Sequence, residues 1–242
     1  MPTELLFRHD AYLAETPATV VGLTPEGGIV LDRSVFYATA GGQPGDTGWL
    51  VGADGTETAV AGAVWSADKQ DIVHLLAPDA ARPAPGDTLV ARLDWVPRYN
   101  RMRMHTALHL LSVALPYPVT GGSIGERESR LDFDIPDAGL DKDAVTARVN
   151  ELIASDAAVT ESWITDAELD ANPGLVKTLS VKPPRGSGRV RLVRIGDIDA
   201  EPIDLQPCGG THVRRLSEIG PVIVSKIEKK GQQNRRVRLT LA

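Results

Sequence analysis

The chain has 242 residues, 42% hydrophobic and 24% charged, with a net charge of −6 and a single cysteine. That composition fits one or two globular domains with a substantial core, and it excludes an internal disulfide. No apolar run reaches spanning length, the N-terminal Met-Pro-Thr-Glu lacks a signal layout, and the lone thiol fits a reducing compartment, so the expected location is the cytoplasm.

Residues 1–95 carry short β-branched runs among glycines and prolines, such as Ala18-Thr-Val-Val21, Gly28-Ile-Val-Leu31 and Thr88-Leu-Val-Ala91. Asp54-Gly55 predicts a hairpin between Trp49-Leu-Val51 and Thr58-Ala-Val60. Many short strands parted by turn residues predict a small β-barrel or sandwich. Pro97 predicts the start of a helix over 98–115, stopped by Pro116. Met104, Leu108, Leu111 and Leu115 form its apolar stripe, with His105, His109 and Ser112 at the edge. A second helix is predicted over 141–155 through Val145, Val149, Leu152 and Ile153, with Asp141 as N-cap. Thr165-Asp-Ala-Glu168 is a capping box for a short third helix ending near Asn172-Pro173. Residues 188–195 predict a strand, and 221–228 with 235–241 predict the arms of a hairpin. In the last arm Val237, Leu239 and Leu241 alternate with Arg236, Arg238 and Thr240, one apolar face and one basic. The expected fold class is α+β. A β-barrel domain over 1–95 precedes an α+β domain over 96–242, in which helices, the histidine helix among them, cover a mostly antiparallel sheet.

The charge is unevenly spread. Residues 1–95 hold 5 basic and 13 acidic side chains, whereas residues 182–242 hold 13 basic and 6 acidic. A basic C-terminal part can meet phosphate while the acidic N-terminal part points elsewhere, although such stretches are also ordinary solvated faces. With three Phe, four Tyr and four Trp, no stacking ladder for single strands is visible.

Two short motifs carry the chemistry. His105-Thr-Ala-Leu-His109 and Cys208-Gly-Gly-Thr-His212 take the only cysteine and three of the five histidines. Imidazoles four apart stack on one helix face, and a Gly-Gly between thiol and imidazole lets a loop fold both toward one point. Either motif alone is more often ordinary packing. Together they predict one tetrahedral zinc site of His105, His109, Cys208 and His212. Four closed protein ligands favour a structural ion and three with an open position favour catalysis; the sequence leaves both open.

Met104-His-Thr-Ala-Leu-His-Leu-Leu111 and Gln206-Pro-Cys-Gly-Gly-Thr-His-Val213 resemble the two signatures of the editing domain of alanyl-tRNA synthetases and of its free-standing relatives, the alanyl-tRNA editing proteins of the AlaX type. Phe36-Tyr-Ala-Thr-Ala-Gly-Gly-Gln-Pro44, Ser129-Arg-Leu-Asp-Phe-Asp134 and Ile227-Glu-Lys-Lys-Gly231, leading to Asn234-Arg-Arg236, are also similar, in the family's order. Where that family usually has three glycines, this chain has Ala40, Gly41 and Gly42.

The resemblance implies a zinc-dependent deacylase with one Zn2+ per chain. It would act on mischarged alanine tRNA, on Ser-tRNA(Ala) first and Gly-tRNA(Ala) second; DNA and membrane are not expected partners. It implies catalytic roles for His105, His109, Cys208 and Gln43, and substrate contacts at Gly41, Gly42, Gln43 and Thr106. The RNA surface expected from the basic residues comprises Arg101, Arg103, Lys229, Lys230, Arg235, Arg236 and Arg238, with Arg98, Arg189, Arg191, Arg194 and Lys226 as further members of the same basic set. Two other readings stand beside it: a non-catalytic, zinc-containing tRNA-binding module, and a metal hydrolase of a small aminoacyl derivative.

Overall fold

A computed structural model of the chain describes residues 2–135, 139–178, 188–231 and 233–242. The chain divides into two compact units, Met1–Tyr99 and Asn100–Ala242, and the fold class is α+β.

The first unit is a closed antiparallel barrel. Its strands are β2 (Glu15–Leu23), β3 (Ile29–Leu31), β5 (Gly48–Gly52), β6 (Glu57–Trp65), β7 (Ile72–Leu76) and β8 (Thr88–Leu93), in the order β2-β3-β7-β6-β5-β8. A short parallel pair, β1 (Glu4–Leu5) with β4 (Arg33–Ser34), lies outside the ring. Closure removes the free edges that short strands would otherwise expose. Alternation fills the inside: Thr16, Ala18 and Val20 of β2 are buried, as are Leu50, Ala63, Ile72 and Ala91 from other strands. The Asp54-Gly55 turn joins β5 to β6 as predicted, with Gly55 at φ 82° and the Asp54 carboxylate accepting from the Thr56 N–H at 2.9 Å.

His74 lies wholly inside this barrel. Its Nδ1–H donates to the Ile29 carbonyl at 3.0 Å, so its Nε2 accepts the Ser34 hydroxyl at 2.8 Å. Burial pushes its pKa down to about 4, against the pull of the Ile29 carbonyl. The unfolded chain, near 6.5, therefore binds a proton before the folded one does. Stability from this group is complete above pH 6.5 and is lost as pH falls toward 4, by roughly 3 kcal/mol. In urea unfolding at stepped pH, His74→Gln should flatten the loss of stability between pH 6.5 and 4.5. Parallel curves for variant and wild type would refute it.

In the second unit, α1 (Trp95–Ala114) continues from the first. It starts two or three residues earlier than Pro97 suggested. Pro97 sits in the first turn, where its missing N–H has no intrahelical partner to lose. The amphipathic picture also needs correcting. Residues 104–112 are buried on every side, so His105 and His109 are core residues rather than groups at the rim of a stripe.

Two antiparallel sheets replace the single one expected. One has the order β14 (Val222–Lys229), β15 (Asn234–Leu241), β10 (Glu128–Asp134), β9 (Val119–Ser123); the other is β11 (Val159–Ile164), β12 (Val190–Ile195), β13 (Asp204–Pro207). The predicted C-terminal hairpin is β14–β15, with Gln232 of its connection outside the described residues. Helix α2 (Lys142–Ala154) is capped by Asp141 and packs on β14, an edge strand. Asn150 accepts from the Val222 N–H and donates to its carbonyl, and Thr146 accepts from the Val224 N–H, so the helix satisfies that edge. Helix α3 (Asp166–Ala171) carries the predicted capping box.

Candidate metal centre

Helix α1 supplies His105 and His109, and the loop after β13 supplies Cys208 and His212. The donor atoms of these four residues lie within 4.8 Å of one another and could hold one metal ion. Cys208 Sγ is 3.5 Å from His105 Nε2 and 3.2 Å from His212 Nε2. The three imidazoles pack with ring centroids 4.3–5.3 Å apart. His105, His109 and His212 are buried, and only Cys208 is partly open.

Hydrogen bonds fix which nitrogen His212 and His109 present. The Thr106 hydroxyl donates to the Met102 carbonyl at 2.9 Å, so at 3.1 Å it must accept from His212 Nδ1–H, leaving the Nε2 lone pair facing Cys208. His109 Nδ1–H donates to Asp204 at 2.8 Å, which likewise frees Nε2. The Gln206 amide nitrogen lies 3.1 Å from the same Nδ1, but two donors cannot bond. Its partner is Asp204, at 2.8 Å. Lys177 also pairs with Asp204.

The electrostatics of the cluster are compatible with a cation. Burial alone would raise the Cys208 pKa, yet the imidazoles of His105 and His212 bring it well below its ordinary value. Burial, with His105 beside it, holds His212 near 3, a neutral ligand-competent imidazole. Burial raises and the His109 bond lowers Asp204, which ends at about 2. His109 is raised to about 9; burial opposes this, and the Asp204 bond followed by Cys208 outweighs it. With Lys177 on one oxygen of Asp204, the partly open thiolate beside three imidazoles is compensated by a proton on His109 or by a metal, and the two compete.

Residues 190–238 match the family described as the threonyl and alanyl tRNA synthetase second additional domain, and residues 13–96 match the class II (A) tRNA synthetases. The alanyl-tRNA editing protein AlaX-M of Methanosarcina barkeri is 35% identical over 248 residues, covering 99% of both chains. The AlaX-M protein of Saccharolobus solfataricus is 31% identical with the same coverage. The chain belongs to the alanyl-tRNA editing protein family. The alanine–tRNA ligase of Pyrobaculum calidifontis is 34% identical over 94% of this chain, which spans only 25% of the ligase. Both signatures of the AlaX-type resemblance thus end at the same four-donor cluster.

Thr106, expected at the substrate, is fully buried with its hydroxyl committed to Met102 and His212. Gly41 and Gly42 adopt φ of 56° and 83°, while Ala40 and Gln43 exchange both backbone hydrogen bonds across them. Ala40 needs no positive φ, so replacing the family's third glycine there strains nothing. Gln43 is buried, not the exposed residue of an ordinary turn.

The expected basic face of β15 is an alternation of charges. Arg236 bonds Asp132, and Arg238 bonds Glu228 and Glu128. Arg101 pairs with Glu126, Arg103 donates twice to the Ile219 carbonyl, and Arg235 is buried against the Gly231 and Asn234 carbonyls. Lys229 and Lys230, at the hairpin's end, are exposed. Sequence reasoning missed Asp204, Gln206 and Lys177, and it read Arg191 only as one of the basic residues open to RNA, whereas the structure buries it against the cysteine loop. Of the missed residues only Gln206 carried a signal, being the first residue of the second signature.

Proposed function

We propose that this protein is a trans-editing deacylase that hydrolyses the ester joining serine, and secondarily glycine, to alanine tRNA in the cytoplasm. The observation that carries this reading is the meeting of His105, His109, Cys208 and His212 in a member of the alanyl-tRNA editing family. Zinc is the proposed ion. At ordinary zinc bond lengths a tetrahedral site separates sulfur from nitrogen by about 3.6 Å, close to the 3.5 and 3.2 Å found here. A bound zinc ion would supply a Lewis acid for the ester carbonyl or a water of lowered pKa. Asp204 and Thr106 act by holding His109 and His212 in the tautomer that presents Nε2.

Discrimination falls to polar groups. Serine and alanine differ by one hydroxyl, which an apolar pocket rejects only weakly. Gly41, Gly42 and Gln43 are proposed as contacts of the aminoacyl end, because an amide offers both donor and acceptor without charge. The family resemblance supports this assignment. The test is deacylation of serine-, glycine- and alanine-charged alanine tRNA, with and without a chelator, beside a small aminoacyl ester. Serine removed faster than alanine, and only with metal, is the expected result. Equal rates on the two would remove the editing claim, and activity on the free ester alone would favour a small-molecule hydrolase. A second reading, a non-catalytic zinc-containing tRNA-binding module, is favoured by one feature: four protein donors, three of them buried, as in closed structural sites.

For the tRNA, the proposed contacts contract to the hairpin end, because phosphate would have to displace a carboxylate from Arg236 or Arg238. Lys229→Glu with Lys230→Glu should weaken tRNA binding and reduce the salt slope by roughly 2, one per lost phosphate contact. Titrations at several salt concentrations measure this. An unchanged slope would move the tRNA elsewhere.

A further inference from the structure

The cysteine loop is gripped from outside the donor set. Arg191 on β12 is 5% exposed, and its Nη1 donates to the carbonyls of Cys208 and Gly210, each at 2.8 Å. Its other nitrogens pair with Glu161 on β11: Nε donates to Oε2 at 2.9 Å, and Nη2 bonds Oε1. The Cys208 N–H donates to the Arg191 carbonyl at 3.1 Å, which joins the loop to the strand a third time. Between the two gripped carbonyls, the Gly210 N–H turns the opposite way and lies 3.5 Å from Cys208 Sγ. The loop's negative dipole ends thus face the guanidinium and an N–H faces the sulfur, the polarity that a thiolate requires.

We propose that Arg191 is a positioning residue for the metal centre: with Glu161 it locks the Cys208 turn so that Sγ faces His105 and His212, and so sets metal affinity. This rests on reading the four-donor cluster as a zinc site. The planar guanidinium spans two carbonyls and a carboxylate at once, which the single ammonium of lysine does not. A plain structural staple between β11 and the loop makes a different prediction, that any loss of metal affinity follows the loss of global stability.

The experiment compares wild type, Arg191→Lys, Glu161→Gln and Leu192→Ala. Leu192 is equally buried, but its side chain points to the other face of β12. Zinc affinity is measured by competition with a chromophoric chelator. Cobalt(II) bound in place of zinc reports thiolate ligation through its sulfur-to-metal charge-transfer band, and urea unfolding gives stability. Arg191→Lys should weaken zinc binding by about 10- to 100-fold and weaken or shift the cobalt band. Glu161→Gln, which keeps the guanidinium on both carbonyls, should cost about three- to tenfold, and it carries the test if Arg191→Lys does not fold. Leu192→Ala should lose stability with affinity kept within about twofold. The proposal is overturned if Arg191→Lys and Glu161→Gln bind both metals as wild type does, or if Leu192→Ala loses as much affinity as Arg191→Lys. Wild-type protein that binds neither metal overturns the zinc reading itself, a result distinct from either of these.

Discussion

Cys208→Ala is expected to lower kcat/KM for serine-charged alanine tRNA by roughly a thousandfold, about 4 kcal/mol of transition-state stabilisation. The thiolate is the only anionic donor among the four and the only one partly open. Removing it leaves three neutral imidazoles, two of them within 3.5 Å of the missing sulfur, and no donor charge to offset a divalent ion held away from water. Affinity for tRNA should change little, because phosphate contacts supply most of it. Single-turnover deacylation, metal content and tRNA titration on the same preparation measure the three quantities. Retained activity in a metal-free variant would leave the ion structural at most and support the binding-module reading. A parallel loss of tRNA affinity would trace the effect to a damaged fold.

Arg98→Met is expected to destabilise the first unit by about 3–5 kcal/mol. Arg98 is fully buried, yet it carries its charge there with a partner at each of its three nitrogens. Its Nε donates to Asp46 at 2.9 Å and Nη2 pairs with the same carboxylate; Nη1 donates to the Ala11 carbonyl at 2.9 Å and Nη2 to that of Val35 at 2.6 Å. Asp46 also accepts from the Tyr37 N–H, so the pair pins both ends of the segment that carries Gly41, Gly42 and Gln43. Without the guanidinium, a carboxylate and two carbonyls remain in the interior with no counter-charge. Asp46→Asn should cost a similar amount, by stranding the cation instead. The double variant Arg98→Met/Asp46→Leu should lose far less than the sum of the two, because an apolar pair strands no charge. Urea unfolding of all three closes the cycle. Additive single losses would show that the two residues act independently.

Much of this protein was legible in its sequence, and what was legible is local. The i, i+4 spacing of His105 and His109, the Gly-Gly between Cys208 and His212, the Asp54-Gly55 hairpin, the Asp141 cap and the Thr165–Glu168 capping box each depend on a few consecutive residues. Their physics is the backbone geometry of one turn, which spacing alone specifies. The partners were not legible. Asp204 lies 95 residues from His109, Asp46 lies 52 from Arg98 and Glu161 lies 30 from Arg191. A carboxylate or guanidinium reads as solvated surface until the fold takes it out of water, and only then must it find a counter-charge. The same logic reversed the reading of β15: alternation correctly gave an apolar and a charged face, but Asp132, Glu128 and Glu228 reach Arg236 and Arg238 only through strand register. The sequence by itself determined which side chains can ligate and where the chain turns. The tertiary structure decided which nitrogen His109 and His212 present, which arginine grips the thiol loop and which cations pair with carboxylates, because those outcomes depend on burial and on contacts between segments distant in the chain.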